Sequence, residues 1–111
     1  MRLVRIIAEQ KDGTLNSANK FILLCVIDNE NRIIKGEWFG YVKDGSIIYP
    51  FVLRSNKLLY GDDEGYCEHI NLSSKNINIG SLFSIKSEPG DNEEWECCYE
   101  IRSVYDYKLV K

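Results

Sequence analysis

The 111-residue chain lacks long apolar runs and has little proline, methionine or histidine. Its longest apolar stretch is the seven-residue segment 21–27, far short of the roughly 20 residues that a membrane-spanning helix needs. The apolar N-terminal residues are followed at once by Glu9, Lys11 and Asp12, so we expect no signal peptide and no membrane partner, and the sequence predicts a cytoplasmic protein. Two prolines and eight glycines exclude a collagen-like or low-complexity chain.

The motifs of the common enzyme classes are also missing. The sequence contains no G-x-S-x-G nucleophile elbow, no H-E-x-x-H motif and no glycine-rich phosphate or dinucleotide loop. A single histidine, His69, leaves few ways to build general acid–base catalysis. We therefore predict a protein that is not an enzyme, with no catalytic residue and no cofactor.

Four cysteines are present, and none has the C-x-x-C spacing of a redox or zinc motif. Cys67 and His69 share one face of a predicted strand, which leaves a Cys–His nucleophile as an alternative. Another alternative is a Cys₃His zinc site that adds Cys25 and either Cys97 or Cys98. Because cysteines in core strands are the ordinary case, the sequence predicts thiols and no metal site. The acidic segments 62–64 and 91–93 do not match a calcium loop.

Alternation of apolar and charged residues predicts a mainly β fold. The clearest strand is 95–107, whose odd-numbered positions are mostly aromatic or apolar, so one continuous face should be buried, with a bend near Ser103. Segments 37–43 and 46–53 flank Asp44-Gly45 and predict a tight hairpin. Pro50 places its return strand at a sheet edge or a bulge. Further strands are predicted at 2–9, 57–60, 66–72 and 82–87.

Segment 20–28 is apolar almost throughout and predicts a strand buried on both faces. The competing prediction is a short helix near residues 17–24, which would make the fold α+β. With the strand preferred, residues 1–111 form a single globular domain, a small antiparallel barrel or sandwich of about seven or eight short strands. The aromatic residues around the hairpin are expected to lie mostly in the core, with a ligand pocket among them as the alternative: Trp38, Phe39, Tyr41, Tyr49 and Phe51.

The net charge of −3 conceals an uneven distribution. Residues 61–100 contain ten acids and two bases, whereas the rest of the chain contains seven acids and twelve bases. One interpretation is that these acids merely solvate hairpin tips and an outer strand face. The functional interpretation is a surface that binds a basic partner, with Trp95, Tyr66 or Tyr99 as aromatic anchors. The residues predicted for this surface are Asp62, Asp63, Glu64, Tyr66, Asp91, Glu93, Glu94, Trp95 and Glu96.

The leading functional prediction is an acidic protein-binding module, in particular an inhibitor or immunity protein that occludes a basic partner such as a nuclease toxin. In type, such a domain resembles the neutralising partner of a bacterial toxin or a phage-encoded inhibitor, although no residue motif carries the resemblance. Direct nucleic-acid binding is not expected, because the basic residues are scattered along the sequence. The nearest approach to a basic arm consists of Arg2, Arg5, Lys11 and Lys20. The alternatives are a self-associating structural or adaptor subunit, pairing near Pro50 or at 105–110, and a small-ligand-binding β-barrel.

Overall fold

The computed structural model describes residues 1–11, 19–61, 67–88, 90 and 94–107. Within these residues each strand pairs antiparallel with the next, and the last strand pairs back with the first, so the sheet is a closed barrel. This result confirms the prediction of a mainly β, barrel-like fold of seven or eight strands. The strands are β1 (Arg2–Gln10), β2 (Lys20–Ile27), β3 (Glu37–Asp44), β4 (Ile47–Arg54), β5 (Lys57–Tyr60), β6 (Cys67–Ile70), β7 (Leu82–Lys86) and β8 (Glu96–Tyr107).

Strand β2 corrects two expectations. The described residues 20–24 are extended and pair with β1 and β3, so the alternative helix near 17–24 is wrong there, while residues 17 and 18 lie outside the described residues. Burial alternates along the strand, with Phe21 and Leu23 fully buried and Leu24 42% exposed. The strand is therefore not buried on both faces, because in a closed barrel only the inward side chains enter the core.

Strand β8 is interrupted by a β-bulge. Ile101 pairs with Ala8, but Ser103 pairs with Ile7, so the register with β1 passes over Arg102. One extra residue reverses the inside-outside alternation beyond it. Tyr105 is accordingly 53% exposed, while Val104 packs against the core. The irregularity next to Ser103, where the sequence predicts a bend, is this bulge, and the expected continuous buried face is wrong beyond it.

The predicted β3–β4 hairpin is confirmed, with one shift at its tip. Asp44 pairs with Ile47, so the two loop residues are Gly45 and Ser46. Gly45 has φ +61°, a conformation that glycine adopts without steric strain. Pro50 pairs with β3, and the β4–β5 register begins one residue later. The first half of β4 thus extends past β5, which agrees with the local edge predicted from Pro50.

The remaining strands follow the predicted positions closely. The predicted strand 66–72 is shorter, because Leu72 belongs to a 3₁₀ turn, Leu72–Ser74, and Tyr66 lies outside the described residues. This turn belongs to the β6–β7 connection, which buries Leu72 and Ile77 in the barrel core. The Ile77 amide donates a 2.7 Å hydrogen bond to the carbonyl of Asn31 in the β2–β3 connection. The connection therefore covers one end of the barrel.

An aromatic cluster fills the middle of the barrel. The ring of Phe21 stacks on Phe51 at 5.2 Å and meets the edge of Phe83 at 5.1 Å, and Phe83 stacks on Tyr99 at 5.5 Å. Such ring pairs add to the free energy of apolar burial. Tyr60 contacts this cluster through Phe51 at 6.0 Å. Tyr60 and Tyr99 mark the side of the cluster that faces the end of the barrel opposite the β6–β7 connection.

Candidate functional site

The chain connections divide into two sets, one at each end of the barrel. In an antiparallel meander, alternate connections lie at the same end. The β1–β2, β3–β4, β5–β6 and β7–β8 connections therefore attach to one end, which we call the acidic mouth (residues 11–19, 45–46, 61–66 and 87–95). Both of the acidic clusters that the sequence analysis identified belong to connections of this mouth.

The charge of the two ends differs strongly. The four connections of the acidic mouth contain eight acids and one base in the sequence. The described connections of the opposite end, residues 28–36, 55–56 and 71–81, contain two acids and three bases. Charge of one sign gathered at one end creates a field that attracts oppositely charged molecules from a distance.

A cleft of about 550 Å³ opens at the acidic mouth. Apolar and aromatic side chains form most of its lining, and two carboxylates, Asp44 and Glu68, stand among them. The lining residues are Asn19, Val42, Asp44, Tyr49, Tyr60, Glu68, Ile85, Trp95, Cys97 and Tyr99. A concave apolar surface with a few placed polar groups is the usual form of a binding site.

One wall of the cleft is held by a hydrogen bond between neighbouring strands. The hydroxyl of Tyr60, at the end of β5, donates to Oε1 of Glu68 in β6 at 2.7 Å. Glu68 points inward because it alternates with Cys67 and His69 along β6, and the next inward residue, Ile70, is buried. The pair presents a carboxylate beside an aromatic ring, an arrangement that suits a cationic group with an apolar stem.

Trp95, at the β7–β8 side of the cleft, is held by two hydrogen bonds to Ser87, the residue that follows β7. The amide of Ser87 donates to the carbonyl of Trp95 at 2.9 Å, and the amide of Trp95 donates to Oγ of Ser87 at 3.0 Å. The second bond gives a partner to the hydroxyl oxygen of Ser87, a residue that is only 5% exposed. The two hydrogen bonds fix the backbone of Trp95, whose 38%-exposed side chain lines the cleft.

The structure places only part of the predicted partner-binding surface. Glu94, Trp95 and Glu96 are described, are exposed, and lie together at the start of β8. Glu96 pairs in register with Lys86 of β7. Six predicted residues lie outside the described residues: Asp62, Asp63, Glu64, Tyr66, Asp91 and Glu93. Their role stays a prediction, although the described residues that precede and follow them belong to one mouth.

The aromatic residues are distributed differently from the expectation. Tyr99 is 3% exposed and stacked on Phe83, so it forms the floor of the cleft and is not a projecting anchor. Of the hairpin aromatics only Phe51 is buried, while Tyr49 is 43% exposed and lines the cleft. Sequence analysis missed Tyr60 as a cleft residue, because only the pairing of β5 with β6 brings it to Glu68.

The cysteines are all thiols, and they occupy different environments. Cys25 is fully buried, and burial raises the pKa of its thiol to about 12. Cys97 lines the cleft, whereas Cys98, the next residue of the strand, points to the outer face. The alternative Cys₃His zinc site is therefore wrong, because Cys25 in the core cannot join Cys67 and His69 on the outer wall.

Three of the four residues that suggested a basic arm lie in other contacts. Nη1 of Arg2 lies 2.9 Å from Oδ2 of Asp106. The guanidinium of Arg5 lies 5.6 Å above the ring of Tyr105. Nζ of Lys11 lies 3.7 Å from Oε1 of Glu100. Arg2 also donates to Oδ1 of Asn31 in the β2–β3 connection, so these three side chains are spread from one end of the barrel to the other and form no continuous basic stripe.

Among the described residues, no helix is long and apolar enough to cross a lipid bilayer. Comparison of the chain with protein-family models, with curated proteins and with solved structures found no match.

Proposed function

We propose that the protein binds a basic partner protein at the acidic mouth, as an inhibitor or immunity protein that covers a nuclease toxin would. The observation that carries this proposal is the topology of the barrel, which attaches both acidic clusters to the end that contains the aromatic cleft. A substrate-like negative surface attracts a basic active site, and covering that site is sufficient for inhibition.

The cleft supplies the short-range part of recognition. The aromatic side chains of Tyr49, Tyr60 and Trp95 offer faces for the stem of an arginine or lysine side chain, and Asp44 and Glu68 offer carboxylates for its charged end. A desolvated anchor surrounded by charged residues is the usual arrangement of a strong protein interface. In this proposal the acids of the connections set the association rate, and the cleft sets the lifetime of the complex.

The test is capture of the partner by tagged wild-type protein from its native cells, at low and moderate salt. We expect one stoichiometric basic protein, whose recovery falls as salt screens the mouth. Reversal of Asp91, Glu93 and Glu94 to lysine should abolish its recovery and, with the purified partner, slow association about tenfold or more. If the charge-reversed variant recovered as much of the partner as the wild-type protein does, the proposal would be contradicted.

A matched pair of single variants separates the mouth from net charge. Glu94→Lys and Glu30→Lys make the same change in charge, and both residues are exposed, but Glu30 lies at the opposite end of the barrel. We expect Glu94→Lys to slow association and Glu30→Lys to leave it within about twofold of wild type. Equal effects of the two variants would mean that overall charge, and not the mouth, controls binding.

A second candidate function is self-association, which the outer face of the barrel favours. Leu24 pairs in register with Phe39, and Phe39 pairs with Val52, so these outward side chains form an apolar row across β2, β3 and β4. Leu24 and Phe39 are 42% and 62% exposed, and exposed apolar rows of this kind often bind a second copy. Tyr105 to Tyr107 pair with β1 along one edge of β8, and the pairing of β7 with β8 ends at Glu100, so the predicted pairing of copies at 105–110 stays a prediction, with residues 108–110 outside the described residues.

Sedimentation velocity over a range of concentrations tests this candidate. A dimer that dissociates on Phe39→Ser would support self-association through the apolar row. A wild-type monomer at every concentration would contradict it.

A further inference from the structure

The outer wall of the barrel near the acidic mouth contains a cluster of three metal-ligating side chains. Cys67 and His69 are two residues apart in β6. Both point outward, because they alternate with Glu68 and the buried Ile70, which point inward. Glu88 follows β7. One ligand atom from each side chain, the thiol sulfur, an imidazole nitrogen and a carboxylate oxygen, lies within 4.8 Å of the other two.

The strand register explains how Glu88 reaches the other two residues. His69 pairs with Lys86, and two further steps along the antiparallel strands bring Cys67 opposite Glu88. The Sγ–Oε1 distance between Cys67 and Glu88 is 3.6 Å, with the thiol as donor. Glu88 is two residues beyond the end of a short strand, so the sequence alone had not connected it with the Cys67–His69 pair.

We propose that Cys67, His69 and Glu88 bind a divalent transition metal ion of the zinc class. A thiolate, a neutral imidazole and a carboxylate are the three ligand types of protein zinc sites, whereas calcium and magnesium prefer oxygen alone. Tetrahedral zinc separates its ligand atoms by about 3.3 to 3.8 Å, so a contraction of about 1 Å by half-buried side chains completes the site. Three protein ligands leave the fourth position for water.

The charges around the cluster are compatible with a bound cation. When the metal binds, the Cys67 thiol loses its proton to solvent and a sulfur–metal bond forms, so a thiolate and a carboxylate neutralise the two positive charges of the ion. Lys57 and Lys86 pair in register on the two sides of His69. Both lysines are exposed, so solvent and salt screen their repulsion of the ion.

The ion would join β6 to the segment that follows β7, two parts of the chain that are connected by a short β6–β7 pairing. The β6–β7 register contains two residue pairs, His69–Lys86 and Ile70–Ile85. A metal held by Cys67, His69 and Glu88 extends this connection to the point where the chain enters segments 62–66 and 89–93, which contain five acids of the sequence. The site does not depend on the proposed partner, and its test measures metal binding alone.

The experiment is titration of the purified, reduced protein with Zn²⁺ against a chromogenic chelator, and with Co²⁺ while the absorption spectrum is recorded. We expect one metal ion per chain and, with Co²⁺, a thiolate-to-metal charge-transfer band. Cys67→Ser should remove the band. His69→Gln and Glu88→Gln should keep the band but weaken binding about tenfold or more.

Cys98→Ser is the matched control. Cys98 is also a half-buried thiol on the outer face of the barrel, but it lies outside the cluster. Its substitution should leave the affinity and the band unchanged. Glu88→Gln keeps the side-chain shape beyond the end of β7, so it tests the site even where Cys67→Ser lowers stability; thermal unfolding without metal identifies such a loss. No binding by wild type, or equal binding by wild type and Cys67→Ser, would overturn the proposal.

Discussion

Tyr60 and Glu68 are joined across β5 and β6 by a 2.7 Å hydrogen bond from the tyrosine hydroxyl to Oε1. Both residues line the cleft. The hydrogen bond therefore connects the stability of the barrel wall to the shape of the candidate binding surface. Its donor can be removed while the aromatic ring stays in place.

Tyr60→Phe should lower the free energy of unfolding by about 1 kcal/mol, because the half-buried carboxylate of Glu68 loses a donor. Urea denaturation measures this change. Tyr105→Phe is the matched control, since Tyr105 is 53% exposed and its ring contacts are with Tyr107 and Arg5. A loss of stability in Tyr105→Phe equal to that in Tyr60→Phe would contradict the importance of the hydrogen bond.

The bulge in β8 predicts a contrast between two neighbouring residues. Val104 packs against the core and pairs with Ile6, whereas Ser103 pairs with Ile7 on the outward side. Val104→Asp should therefore destabilise the protein by about 2 kcal/mol, since it places a charge against the core. Ser103→Asp should change stability by less than about 0.5 kcal/mol. A reversed order, measured by urea denaturation, would mean that the alternation continues without a bulge.

The same strand shows how far the sequence predicts this fold. Alternation in 95–107 predicts the strand and its length well, because inward positions of a small barrel must be apolar. The face assignment is correct up to Ile101 and fails at Tyr105. A bulge inserts one residue without changing local composition, and only the pairing with β1 shows that the register passes over Arg102.

The candidate site was predictable in its charge and not in its shape. Acidic segments and aromatic residues are readable from the sequence, and Trp95 lines the cleft as part of the predicted surface. The cleft itself requires knowledge of which strands are neighbours, because Tyr60 meets Glu68 only through strand pairing. The Cys67, His69 and Glu88 cluster depends in the same way on the β6–β7 register.

Among the glycines that the structure describes, Gly40 in β3 is predicted to be the least tolerant of substitution, because a side chain has no space there. A Cβ atom at this position would overlap the carbonyl oxygen of Ile22 and lie 2.9 Å from Cζ of Phe51. Backbone cannot move away without disturbing the β2–β3 pairing, so Gly40→Ala should cost about 3 kcal/mol. Gly36→Ala is the control: its Cβ would lie 3.3 Å from Cζ2 of Trp38, and we expect a cost below about 1 kcal/mol. Thermal unfolding that ranks the two variants equally would contradict this prediction.

Cys25 should make the protein less stable at alkaline pH. Burial raises the pKa of its thiol from 9.0 to about 12 in the folded state. Above pH 9.0 the unfolded chain releases the thiol proton while the folded chain keeps it. The free energy of unfolding therefore falls by about 1.4 kcal/mol per pH unit up to the folded-state pKa.

The variant Cys25→Ala separates this effect from all other effects of alkaline pH on stability. It lowers stability at neutral pH because it removes a buried sulfur, but it has no thiol to ionise. Between pH about 8 and about 10, wild type should therefore lose about 1.4 kcal/mol more than the variant. The buried thiol should also resist thiol reagents that modify the half-buried Cys67 and Cys98 in the folded protein. Parallel pH profiles for wild type and Cys25→Ala would show that Cys25 ionises equally readily in the folded and unfolded states, which is incompatible with its full burial between β1 and β3.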